Sequence, residues 1–235
     1  MKSTRKTAII VGVLFITATV VSSLYYVIVT PILDAPDYLV KVSENETPVI
    51  IGVLLYLIDC AAVVLIPIML FPIFKNHNES LALGYVGSRI IESVTLIVGH
   101  VSLLSLLTLS QEYVQAAATD ASHFQALGAL LLSVHDWIHL LGVEIVFALT
   151  AVILNYLLYQ SKLIPRFISV WGFIGAILLL ALGLLRMFGF SPTSAFFTLP
   201  IAINEMVLAI WLIAKGFNPS AIASESAKTD VNEIK

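Results

Sequence analysis

The chain has 235 residues, of which 59% are hydrophobic and 11% charged, with a formal net charge of −3 and a mean hydropathy of +1.00. Soluble domains carry about 25% charged residues, so a single water-soluble core is excluded, and the small net charge argues against nucleic acid as a partner. Several apolar runs exceed the roughly 18 residues needed to cross a bilayer, which makes the chain an all-α, polytopic membrane helix bundle partnered by lipid.

The first run, MKSTRKTAIIVGVLFI onward, starts basic like a secretory signal. It continues to about Leu33, longer than a signal core of about 7–15 residues, and is read as a retained first helix. Six transmembrane helices fit, at 7–31, 47–74, 82–109, 137–160, 167–189 and 194–215, within a membrane domain of residues 1–216. The second and third exceed the usual length of about 17–25 residues, which predicts tilt or helix beyond the bilayer. Ahead of the fourth, FQALGALLLSVHD (124–136) reads either as a surface helix or as an extension of that span. Residues 217–235 are polar and read as a disordered cytoplasmic tail.

With this division, Lys2, Arg5, Lys6, Lys75, Arg89, Lys162, Arg166, Lys215, Lys228 and Lys235 fall on one side, and only Lys41 and Arg186 on the other. Basic residues favour the cytoplasmic side, so both termini are expected in the cytoplasm, with the protein in the cell (inner or cytoplasmic) membrane. The lone Cys60 leaves no intramolecular disulfide to form.

A charge at the bilayer centre costs at least about 2.5–3.5 kcal/mol, which makes an intramembrane ionisable group a functional candidate. Those candidates are Asp59, Arg89, Glu92, His100, His135, Asp136, His139, Glu144, Arg186 and Glu205, with Asn204 beside the last. In the third span a polar stripe runs through Ser88, Glu92, Thr95, Gly99 and Ser102, and Arg89 and Glu92 stand one turn apart, close enough to pair. Residues 135–139, HDWIH, carry two histidines at i and i+4, a spacing that lets both reach one ion. A tetrahedral zinc site needs a further ligand, for which His100 or Glu92 is available. The bland reading leaves the pair solvated in the headgroup zone. In the sixth span Pro200 lies one turn before Asn204 and Glu205, and its missing amide opens the helix ladder there. Simple pairing of Asp59, Glu92, Asp136, Glu144 and Glu205 with Arg89 and Arg186 leaves three acids over, to be protonated, hydrated or bound to a cation.

The blocks HDWIHLLGVEIVFAL, YLLYQSKLIPRFISVWGFIGA and LPIAINEMVLAIWLIAKGF together resemble a bacterial integral membrane family catalogued as domain of unknown function 4386, over nearly the whole chain. The resemblance implies a six-span bundle in which His135, Asp136, His139, Asn204 and Glu205 belong to the family pattern, and it implies no activity.

The residues themselves suggest three functions. The leading expectation is a divalent-metal site, zinc or another ion, held by His100, His135, Asp136 and His139. Glu92 or Glu205 would then be the catalytic proton acceptor in hydrolysis of a lipid or small apolar ligand. A second is a proton- or ion-coupled transporter using Asp59, Glu92 and Glu205. A third is a non-catalytic partner or sensor whose buried polar groups, Arg89, Glu144, Arg186 and Asn204 among them, only specify packing.

Overall fold

The computed structural model describes residues 2–116 and 121–222, and every regular element among them is helical. Helix α1 (Lys2–Leu33) is followed by the short α2 (Tyr38–Glu44) and by α3 (Glu46–Gln115). Helix α4 (Ala121–His139) runs through a π-helical turn (Leu140–Val146) into α5 (Phe147–Ser161), and α6 (Arg166–Met187) and α7 (Ser194–Ala214) complete the bundle. Among the described residues five rods are long and apolar enough to cross a membrane: α1, α3, the combined α4–α5 rod, α6 and α7.

The longest, α3, is two helices in one element. The polar stretch KNHNES interrupts its apolar pattern, and at Asn78 the backbone leaves helical values (φ −160°, ψ 100°). The Asn78 side chain accepts a hydrogen bond from the Leu81 N–H at 3.0 Å, as an N-cap residue does at the start of a new helix. The arms at 46–77 and 79–115 then fold back on each other. Ser93 Oγ donates to the Cys60 carbonyl at 3.2 Å, and the Phe74 and Tyr85 rings meet at 6.3 Å near the bend.

Residues 124–136 extend the fourth helix. The rod from Ala121 to Ser161 has 41 residues, about 60 Å at 1.5 Å per residue, roughly twice the 30 Å hydrocarbon core. Its N-terminal part lies along the second arm of α3, where Ser102 Oγ donates to the Leu131 carbonyl at 2.7 Å. The first residues assigned to the tail pack onto the bundle. Phe217 is buried, and the Asn218 N–H donates to the Leu163 carbonyl at 2.8 Å. Residues 223–235 lie outside the described residues.

The surface inverts the pattern of a soluble protein. Val27 and Phe167 are 73% and 62% exposed, whereas Arg89 is 2% exposed and Asn204 1%. Lipid takes the first group, while the second must find partners inside. Outside the spans, Lys41 on α2 pairs with Glu44 at 2.9 Å, and this hydrogen bond raises its ammonium above the ordinary lysine range. The interior holds an apolar cluster at each end. One joins Phe15, Ile66, Phe74 and Tyr85 to Leu157 and Leu212; the other joins Tyr25, Val53 and Tyr56 to Leu96 and Leu103. The ionisable groups concentrate where these two meet.

Candidate functional site

A cavity of about 140 Å³ lies at that junction, lined by Asp59, Arg89, Glu92 and Glu205 together with Tyr26 and Tyr56. Its walls come from α1, both arms of α3, the α4–α5 rod and α7. Arg89 is the centre. Its Nη1 donates to Glu92 Oε1 at 3.0 Å and to Oε2 at 3.3 Å, the one-turn pairing that the α3 spacing allows. Its Nη2 lies 3.8 Å from Glu205 Oε1. The guanidinium carbon stands 5.1 Å from the Phe147 ring centre and 5.7 Å from that of Tyr85, so aromatic faces supply the attraction water would otherwise give. Arg89 Nε and the Tyr85 hydroxyl are buried without a hydrogen-bond partner among the described residues. Asp59 is buried and opens onto the same cavity.

The remaining intramembrane charges lie apart from this group. Arg186 on α6 donates to Glu144 Oε1 in the π turn, with Gly183 packed against Glu144 so that the two helices come close. Asp136 is exposed. Asn204 turns away from the cavity and donates through Nδ2 to the Ile168 carbonyl at 2.8 Å. Asn204 and Asn155 both crowd Gly172, where an added Cβ would strike the two amide oxygens. The surplus of acids therefore belongs to one place. Three carboxyl groups meet one guanidinium around the cavity, while Glu144 has its own arginine.

The histidines form a second layer, toward the end of the bundle that holds the Tyr25, Val53 and Leu103 cluster. His100 Nδ1 donates to the Leu96 carbonyl at 2.8 Å, leaving Nε2 buried and unpartnered among the described residues. His135 uses both ring nitrogens: Nδ1 faces the Gly99 carbonyl at 3.1 Å, and Nε2 faces the Tyr25 hydroxyl at 3.1 Å. The neutral Nδ1–H tautomer satisfies both contacts. His139 Nε2 meets the Tyr26 hydroxyl at 2.6 Å. The rings pack closely, with His100 at 4.1 Å from Tyr56 and 5.7 Å from His135, centre to centre. HDWIH thus addresses two consecutive tyrosines of α1, one histidine to each.

This arrangement separates the residues grouped from sequence. His100 and His135 come together, His139 reaches Tyr26 instead, Asp136 faces away, and Glu92 belongs to the arginine cavity. Among the described residues no group of three or more histidine, cysteine or acidic side chains could hold a metal ion. A four-ligand site needs donors converging at about 2.0–2.2 Å, and here both ring nitrogens of His135 are engaged by protein partners. The geometry therefore gives the metal reading no support beyond the open Nε2 of His100.

The tyrosines were the missing part. Tyr26 and Tyr56 line the acidic cavity and also touch His139 and His100, so they join the two layers. Their signal in the sequence is a hydroxyl inside an apolar run, SSLYYV and LLYLID. A phenol away from the interface needs an internal partner.

The model of the Domain of unknown function (DUF4386) matches residues 10–216, and the chain belongs to that family. No curated protein and no solved structure matches the chain.

Proposed function

We propose that this member of the DUF4386 family is an ion-coupled membrane transporter whose central cavity takes up and releases a proton or small cation. The observation that carries the reading is the convergence of Asp59, Glu92, Glu205 and Arg89 on one cavity. One guanidinium balances one carboxylate. Burying further uncompensated charges costs several kcal/mol each, so the other two carboxyl groups are occupied by protons or by a cation. A cavity that must carry such a passenger, and has room for it, suits reversible loading.

The hydroxyl of Tyr26 gives the cavity a polar exit. It lines the cavity and hydrogen-bonds His139, whose neighbour Asp136 is exposed. Tyr26 shares the cavity with the carboxyl groups, and its hydrogen bond to His139 continues from there as a phenol–imidazole step that can pass a proton. On this reading the arms of α3 count as two spans, giving six, with both termini on the cytoplasmic side of the cell membrane. The bend at Asn78 beside Lys75 and the one-sided basic residues support that topology.

The test is proton flux into liposomes containing the purified protein, followed with an internal pH dye. The wild type should dissipate an imposed pH gradient, with Asp59→Asn and Glu205→Gln each slowing it by at least about tenfold, the size of effect expected when a relay group is lost. Equal rates in wild type, variants and empty liposomes, across a series of added cations, would sink the transport reading. Variants altering only the melting temperature would leave a packing role.

A further inference from the structure

The basic end of the bundle holds a second, larger cavity of about 450 Å³, between the α5–α6 link and the end of α7. The local sequence makes it. Lys162 ends α5 in the left-handed conformation (φ 54°), and Pro165 starts α6. Between them Leu163 and Ile164 are buried, leaving Lys162 and Arg166 exposed on the same rim. Lys215 follows the last residue of α7 on the other wall.

Three cations line this space, and among the described residues no acidic one does. Arg166 is placed over the Tyr159 ring at 4.9 Å, a contact that orients the guanidinium without neutralising it. The carbonyl end of α7 would offset the positive field, because helix C-termini carry partial negative charge. Arg5 takes up that end, donating to the Leu212 carbonyl at 3.1 Å and the Ile213 carbonyl at 2.6 Å. Gly216 at φ +74° leaves room for it, since an added Cβ would lie 2.8 Å from Arg5 Nη1. The N-terminal end of α6 borders the same cavity, adding the favourable end of a helix dipole. Trp211 and Phe217 give it an apolar floor, and indole is the side chain most suited to the membrane interface.

We propose that this cleft binds a phosphate group, carried by the headgroup of an anionic phospholipid or by a small phosphate-bearing anion. Basic pockets between membrane helices on the cytoplasmic side favour such headgroups, and the volume falls in the range of about 300–1,000 Å³ usual for small-ligand sites. Lys162 and Lys215 act as point charges from opposite walls, and Arg166 offers the planar fork that fits a phosphate. The site is at the far side of the buried arginine cavity from the histidine layer and stands whether or not that cavity conducts.

The experiment measures thermal unfolding of the full chain under two titrations. One varies the phosphatidylglycerol content of phosphatidylcholine nanodiscs, and the other adds inorganic phosphate to protein in neutral detergent. Stabilisation in the first arm alone identifies a lipid headgroup; stabilisation in the second identifies a free phosphate; either upholds the site. The triple variant Lys162→Gln, Arg166→Gln, Lys215→Gln should need about a hundredfold more ligand for the same stabilisation, at about fivefold per cation. Lys215→Gln alone, on an exposed position, should show the fivefold effect and serves if the triple variant does not fold. Lys6→Gln with Lys75→Gln removes two basic-end charges outside the cavity and should leave the titration unchanged. No stabilisation in either arm, an unaltered response in the cleft variants, or an equal loss in the Lys6 and Lys75 control would overturn the proposal.

Discussion

The two intramembrane arginines keep different company. Arg186 is partly exposed and meets one acid, Glu144, across the α6 contact. Arg89 is 2% exposed, bonds Glu92, lies 3.8 Å from Glu205, and shares its cavity with Asp59. The first is a closed pair that holds two helices together. The second is an open account with more negative groups than it can balance. The difference teaches that a buried ion pair and a buried ion-binding site are told apart by stoichiometry and space, since both contain an arginine and a carboxylate.

Substitutions turn that contrast into numbers. Arg89→Met should be the most damaging change, costing about 3–5 kcal/mol because it strands buried carboxyl groups. A scanning melt in detergent would register it as a large drop or as failure to fold. Adding Glu92→Gln to that variant should recover most of the loss, because Glu92 is the carboxylate that Arg89 bonds while Asp59 and Glu205 carry their own protons or cation; no recovery would mean that the arginine serves all three carboxyl groups. Gly172→Ala should cost about 1–3 kcal/mol by overpacking Asn155 and Asn204, with no particular effect on flux, which makes it a control for stability loss alone. Arg186→Met should cost about 1–3 kcal/mol, because it strands the single buried carboxyl group of Glu144, and Arg186→Met with Glu144→Gln should return close to wild type. Asp59→Asn should be the mildest for stability, within about 1 kcal/mol, since it replaces a group that must otherwise be neutralised by an isosteric amide. That same variant should be among the most damaging for flux, and a parallel loss of both properties would erase the distinction between the two sites.

The membrane bundle was legible because hydropathy depends on the bilayer and hardly on tertiary detail. Candidate residues were legible for a related reason: a charge in an apolar run is conspicuous whichever way it points. Their grouping was not. His135 and His139 share a helix face, yet they reach Tyr25 and Tyr26, adjacent residues on α1 whose side chains diverge. The spacing within HDWIH describes one helix, while a ligand set is defined by what other helices bring. Asp136 is part of the same five residues and faces outward. The bend at Asn78 was readable as a polar break, although the capping hydrogen bond to Leu81 that makes it sharp is a property of the folded chain. The π turn at Leu140–Val146 has no strong sequence signal, and it rotates everything beyond it relative to a uniform helix. That is why the partners of Glu144 could not be assigned from periodicity alone.

The central claim is that carboxyl groups in the Arg89 cavity carry protons or a cation that solvent can exchange. Infrared difference spectroscopy of the membrane-reconstituted protein, comparing acid and alkaline buffer, observes the carbonyl stretch of protonated carboxyl groups directly. The account predicts a band that appears on acidification, shifts in deuterated water, and is reduced in Asp59→Asn and in Glu205→Gln but not in Glu144→Gln. A difference spectrum with no such band in the absence of added cations, or one unchanged by both cavity substitutions, would contradict it.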